Sequence, residues 1–205
     1  MKNFIQISDT EEEQVDKIKK WWNSNGKQII AGAVIGLAGV FGWNYYNDYQ
    51  DNQALNARTL YLNYAADSNN VGAYNKLIKE HPSSSYTDQA TLLMAKYLFD
   101  AGSYSLALDA IKPLISNQSS LISSTAVLRV ASIYLQLGQH DEALSTLNIE
   151  SGEDFSGLIY NLTGDVYLDL GNSDEAKKYY LLAIENITEN SNLTQLIQIK
   201  LDDLN

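Results

Sequence analysis

The sequence contains no cysteine, which excludes a disulfide framework and thiolate metal sites. It holds only two histidines, His81 and His140. His81 precedes Pro82 at a predicted helix end, and His140 falls in a predicted turn. Neither has carboxylate or cysteine company at ligand spacing, so no metal site is expected. No glycine-rich phosphate loop and no GxSxG motif occur. With no catalytic constellation and no cofactor motif, the chain does not read as an enzyme. Only two prolines are present, and Ala, Leu, Tyr and Asn are abundant, which suits helices more than strands. Basic charge is scarce overall, and the net charge is −11. Residues 1–28 carry five acids and five lysines, whereas residues 47–205 carry 20 acids and nine Lys/Arg. A segment that acidic repels nucleic acid and stands off an anionic membrane surface. Plain solubility is the simpler reading of the same excess.

One long uncharged run stands out. From Ile29 the chain reads IIAGAVIGLAGVFGWNYY, and no charge follows until Asp48. Eighteen residues at about 1.5 Å each span roughly 27 Å, close to the hydrocarbon thickness of a bilayer. All three tryptophans flank it, Trp21 and Trp22 before and Trp43 near its end, with Tyr45 and Tyr46 beside the last. Such aromatic residues anchor both membrane interfaces. Lys17, Lys19, Lys20 and Lys27 precede the run, whereas Asp48 and Asp51 follow it. That asymmetry predicts a cytoplasmic N-terminus and a translocated C-terminal part, a type II topology. A cleaved signal peptide is the competing reading. It would need a shorter apolar core and a small-residue cleavage site, where Trp43-Asn44-Tyr45-Tyr46 stands instead. Gly32 and Gly36 form a GxxxG, extended by Gly39 and Gly42. Such a surface lets a partner helix approach closely, although glycine is also simply common in membrane helices. In the tail, Ser8 or Thr10 can cap a short amphipathic helix running toward the membrane.

From Asp48 onward the sequence has helical periodicity with breakers at regular intervals. Three stretches align on a glycine followed five residues later by an alanine: Gly102/Ala107, Gly138/Ala143 and Gly171/Ala176. The alanines lie 36 and then 33 residues apart, close to the period of about 34 of a tetratricopeptide repeat. Small residues Ala95, Ala131 and Gly164 sit where a second helix must cross the first closely. Leu98, Tyr134 and Tyr167 follow three positions later. The glycines are placed to end each first helix in a left-handed conformation. Ala183 and Tyr180 complete the last repeat. Upstream, Tyr49–Ala66 and Val71–Glu80 form a less regular pair, and Gln195–Leu204 reads as a closing helix. The predicted architecture is therefore all-α. A tail over 1–28 and one transmembrane helix over 29–46 precede a tetratricopeptide-like α-solenoid over 47–205, of about four hairpins and a capping helix.

The stretch Glu13-Gln14-Val15-Asp16, continuing through Trp21-Trp22-Asn23-Ser24-Asn25-Gly26-Lys27, closely resembles the YfgM family, the ancillary subunit of the bacterial SecYEG translocon. The glycine-rich span ending in Gly42-Trp43-Asn44-Tyr45-Tyr46 and the terminal Gln198-Ile199-Lys200-Leu201-Asp202-Asp203-Leu204 resemble it too. The resemblance implies a bacterial inner-membrane protein with a periplasmic repeat domain. It also implies association with SecYEG and the periplasmic chaperone PpiD, and assistance to secreted chains leaving the channel. Regulation of an envelope stress response, through a cytoplasmic tail that binds a soluble factor, is an alternative reading. A self-assembling membrane scaffold is another. Transferring the usual repeat geometry, the concave face should carry Lys96, Phe99, Arg129, Leu135, Asn161, Asp165 and Leu168, a lining suited to a partner loop or an extended chain.

Overall fold

The computed structural model describes residues 11–187 and 192–204, and every regular element among them is helical. The chain divides into two units, Met1–Leu55 and Asn56–Asn205. The first helix, α1 (Glu11–Ala66), contributes to both. It is unbroken, so the tail helix, the apolar run and the helix beginning at Tyr49 are one element rather than three. Ser8 and Thr10, the expected caps, lie outside the described residues.

In the first unit the apolar run is exposed all round. Ile30, Val34, Ile35, Leu37, Val40 and Phe41 are each exposed. A helix that is apolar on every side is normally buried in a core or in a bilayer. Here no part of the apolar window is buried by protein, and the helix is long and apolar enough to cross a membrane. Helical hydrogen bonding also satisfies the backbone, as hydrocarbon requires. Among the described residues of this unit only Gly26 is buried, covered by the indole of Trp22 one turn earlier.

The second unit is a row of helical hairpins. The end of α1 packs with α2 (Val71–Glu80). Then come α3 (Ser85–Asp100) with α4 (Tyr104–Ile111), α5 (Ser120–Gln136) with α6 (His140–Leu147), and α7 (Ser156–Asp169) with α8 (Ser173–Glu185). The last helix is α9 (Asn192–Asp202), beginning three residues before the sequence suggested. Two 3-10 turns, Lys112–Ser116 and Glu153–Phe155, link successive hairpins; Pro113 opens the first, where its missing N–H costs nothing.

The hairpin turns follow from local chemistry. Gly102, Gly138 and Gly171 have φ of 73°, 69° and 76°. The next residues, Ser103, Gln139 and Asn172, donate backbone N–H bonds to the carbonyls of Leu98, Tyr134 and Tyr167 at 2.8, 2.9 and 2.9 Å. The glycine N–H groups reach Phe99, Leu135 and Leu168, each at 2.9 Å. This double closure satisfies carbonyls that the helix end would otherwise strand. At the other ends, the Asn70 and Asn172 side chains accept from the N–H groups of Ala73 and Glu175, both at 3.2 Å, and cap α2 and α8.

Packing is serial. One core cluster joins Ala57 and Tyr64 to α2 and to Met94; the next runs from Leu92 to Ile133. A third joins Ala131, Ala143, Leu147 and Val166, and the last joins Ala176, Tyr180 and Ala183 to Ile197 and Leu201 of α9. Ala107, Ala143 and Ala176 are all fully buried, as the close crossing of paired helices demands. The apolar edge that a repeat array leaves at its C-terminal end is covered by α9.

Candidate functional site

The first helices of the hairpins, α3, α5 and α7, lie side by side, and a cleft opens on each side of α5. One, of about 280 Å³, lies between α3 and α5 and is lined by Lys96, Phe99, Asp100, Arg129, Ser132 and Ile133. The other, of about 460 Å³, lies between α5 and α7 and is lined by Leu135, Gln136, Asp165, Leu168 and Asp169. Arg129, Ser132, Ile133 and Gln136 recur at helical spacing, so α5 offers one stripe to both clefts. Six of the seven residues expected on the concave face therefore line these clefts. The seventh, Asn161, sits one turn before Asp165 on α7.

Their surroundings differ. Lys96 is exposed and pairs with Asp100 at 2.5 Å, one turn along α3. Phe99 is half-buried, its ring 5.3 Å from that of Tyr104. Arg129 reaches across from α5, and its Nη1 donates to the Leu92 carbonyl of α3. Burial lowers the pKa of this guanidinium, and the nearby Asp100 carboxylate opposes that shift. It remains a cation at any ordinary pH. Leu135 packs partly against the third core cluster, and Leu168 is exposed.

Asn161 and Asp165 are already engaged from inside the chain. Lys200 of α9 donates to Asn161 Oδ1 at 3.1 Å and to Asp165 Oδ1 at 2.5 Å. The Tyr180 hydroxyl donates to the same Asp165 oxygen at 2.7 Å, and Lys200 lies 5.3 Å from the centre of its ring. Burial, and then the bond to Asp165, push the Tyr180 pKa well above its ordinary value. The capping helix is thus fastened to the groove wall by a polar cluster. Sequence reasoning missed Lys200 because its partners lie 39 and 35 residues away.

A second contact was also missed. His140 Nε2 lies 2.6 Å from Asp169 Oδ2, joining the start of α6 to the end of α7. It is an isolated pair: among the described residues no group of three or more His, Asp or Glu side chains could hold a metal ion.

In the first unit, a Cβ built on Gly32, Gly36, Gly39 or Gly42 meets nothing within 4 Å, so no contact within the chain requires glycine there. Trp21, Trp22, Trp43, Tyr45 and Tyr46 are exposed along the same helix.

Residues 19–205 match the model of a family described as a tetratricopeptide repeat-like domain. A protein of Aggregatibacter actinomycetemcomitans named ancillary SecYEG translocon subunit is 36% identical over 200 residues, covering 95% of this chain and 97% of that protein. Proteins of the same name from Neisseria gonorrhoeae and Escherichia coli are 32% and 25% identical, covering 95% and 98% of this chain and 97% and 99% of their own length. Among solved structures, a tetratricopeptide repeat protein from Parabacteroides merdae superposes with a TM-score of 0.55 at 18% identity, over 73% of this chain and 60% of that one, and so shares the fold.

Proposed function

The chain belongs to the tetratricopeptide repeat-like family of ancillary SecYEG translocon subunits, and on that premise we propose that it is a non-enzymatic membrane subunit serving secreted or membrane proteins as they leave the channel. A role at the translocon and a place in the bacterial inner membrane follow from the relatives' name and from the membrane-crossing stretch of α1. The observation that carries the reading is coverage. The relatives match 95% or more of this chain, so anchor and repeats occur together as one unit of descent.

The finer reading assigns each part a task. The lysines before the apolar run and the aspartates after it favour a cytoplasmic N-terminus and a periplasmic repeat domain. The unfilled glycine surface of Gly32, Gly36, Gly39 and Gly42 suits a partner helix within the bilayer. The clefts beside α5 suit an extended or helical segment of the chaperone PpiD, or of a nascent chain, with apolar Phe99, Ile133 and Leu168 as anchors and charged groups for register. Neither task needs bond chemistry.

The test is crosslinking in living cells from a photoreactive residue at position 99 or 168, and separately at position 36. The expected result is capture of PpiD or secreted chains from the groove, and of a translocon subunit from the anchor. A groove probe that captures neither PpiD nor secreted chains would remove the assignment of the clefts.

A further inference from the structure

We propose that the cleft between α3 and α5 recognises one acidic side chain of the segment it binds, and that Arg129 is the residue that selects it. This rests on the groove reading above and specifies its chemistry. Arg129 is one of only two arginines in the chain. Its side chain lies half-buried between two helices, yet among the described residues its one hydrogen bond is from a single nitrogen to the Leu92 carbonyl. A guanidinium has five N–H donors in a planar fork that matches a carboxylate in two-point contact. Among the described residues no carboxylate lies within ion-pair distance of it; Asp100, the acid that acts on it, is bound to Lys96. A charge drawn out of water without a counterion is a standing demand for one.

The rest of the cleft fits that occupant. Phe99 and Ile133 form apolar walls, and Ser132 adds a hydroxyl. A volume of about 280 Å³ admits a side chain or two rather than a whole ligand. The surrounding domain is strongly acidic, with 20 acids against nine basic residues over 47–205, so an acidic segment is repelled along most of the surface. A single carboxylate placed at Arg129 escapes that repulsion, which makes the contact a register mark. The second cleft lies on the other side of α5, so a segment filling both runs past Arg129. The carboxylate then comes from a side chain; a chain terminus is the other source of the same chemistry.

The experiment is selection of random dodecapeptides on the full-length protein in detergent. One library has its C-terminus blocked by fusion and a second has it free. The wild type should enrich Asp or Glu next to an apolar residue in the blocked library. Glu→Gln in a selected peptide should weaken binding about tenfold, the scale of one charge-assisted contact. Arg129→Gln should abolish that difference, and the Glu/Gln comparison on the wild type stands even if the variant fails to fold. Enriched peptides with no acidic preference overturn the proposal and leave the groove reading intact. Enrichment confined to free termini overturns the side-chain assignment in favour of a terminus. No enrichment in either library removes the groove reading and this one with it.

Discussion

The ring of Tyr180 on α8 lies so close to Gly164 on α7 that a Cβ added to the glycine would sit 2.5 Å from Cε1 of the ring. The ring cannot swing aside, since it is fully buried and its hydroxyl is held by Asp165. At an exposed helical site Gly→Ala gains about 0.5–1 kcal/mol. Here overpacking should outweigh that gain, and Gly164→Ala should destabilise by about 1–3 kcal/mol. Urea melts of the wild type and variant check this, and a raised midpoint would sink it.

Gly138 needs its missing side chain for a different reason. A Cβ there meets nothing within 4 Å, but its φ of 69° is one that L-residues rarely adopt. Gly138→Ala should cost about 1–2 kcal/mol through backbone strain alone. Gly138→Asn should recover part of the loss, because asparagine tolerates that region. Equal stability of the two variants by thermal melting would contradict the strain account.

Lys200→Met should loosen α9 in particular. It removes the cation from Asp165 and Asn161 while keeping much of the apolar stem. The pair is about three-quarters buried, with side-chain exposures of 24% and 26%, so the loss should be about 1.5–3 kcal/mol, the range for charged hydrogen bonds. Hydrogen exchange is the readout. Amides of Asn192–Asp202 should exchange faster while those of Ser120–Gln136 stay protected, and uniform acceleration would argue against a local fastening.

Alkali should erode stability through buried tyrosines. The pKa of Tyr180, and that of Tyr64 through burial and then repulsion from Tyr74 and Tyr97, lie above the ordinary 10.0, so the folded chain holds these protons more tightly than the unfolded chain does. Their contribution is fully present below pH 10 and is lost as pH rises beyond it. Urea midpoints should fall as pH rises from about 10 to about 11 in the wild type, and less steeply in Tyr180→Phe. Identical slopes would exclude Tyr180 as a source.

The turn glycines and crossing alanines were legible because each is imposed locally. A left-handed turn or a close helix crossing admits few residue types, and the same demand recurs with the repeat. The anchor was legible for the same kind of reason, since an apolar run bounded by tryptophans has few readings. Lys200 and His140 were not, because a charged residue on an exposed helix face looks alike whether or not a distant partner meets it. Arg129 could be placed on the groove by register, but its reach to the Leu92 carbonyl depends on how α3 and α5 pack. The continuity of α1 was not legible either, because the divisions at 28/29 and 46/47 followed the change from polar to apolar sequence, and one helix runs through both.

The four core clusters draw on residues 57–94, 92–133, 131–166 and 176–201, so each is built from its own stretch of chain and barely overlaps the one before. No early segment waits for a late one to bury it. A chain delivered N-terminus first can close its hairpins in order of arrival, so the length exposed and unpaired at any moment is about one repeat. Each hairpin waits only for the helix that follows it, and for the α7–α8 hairpin that helix is α9.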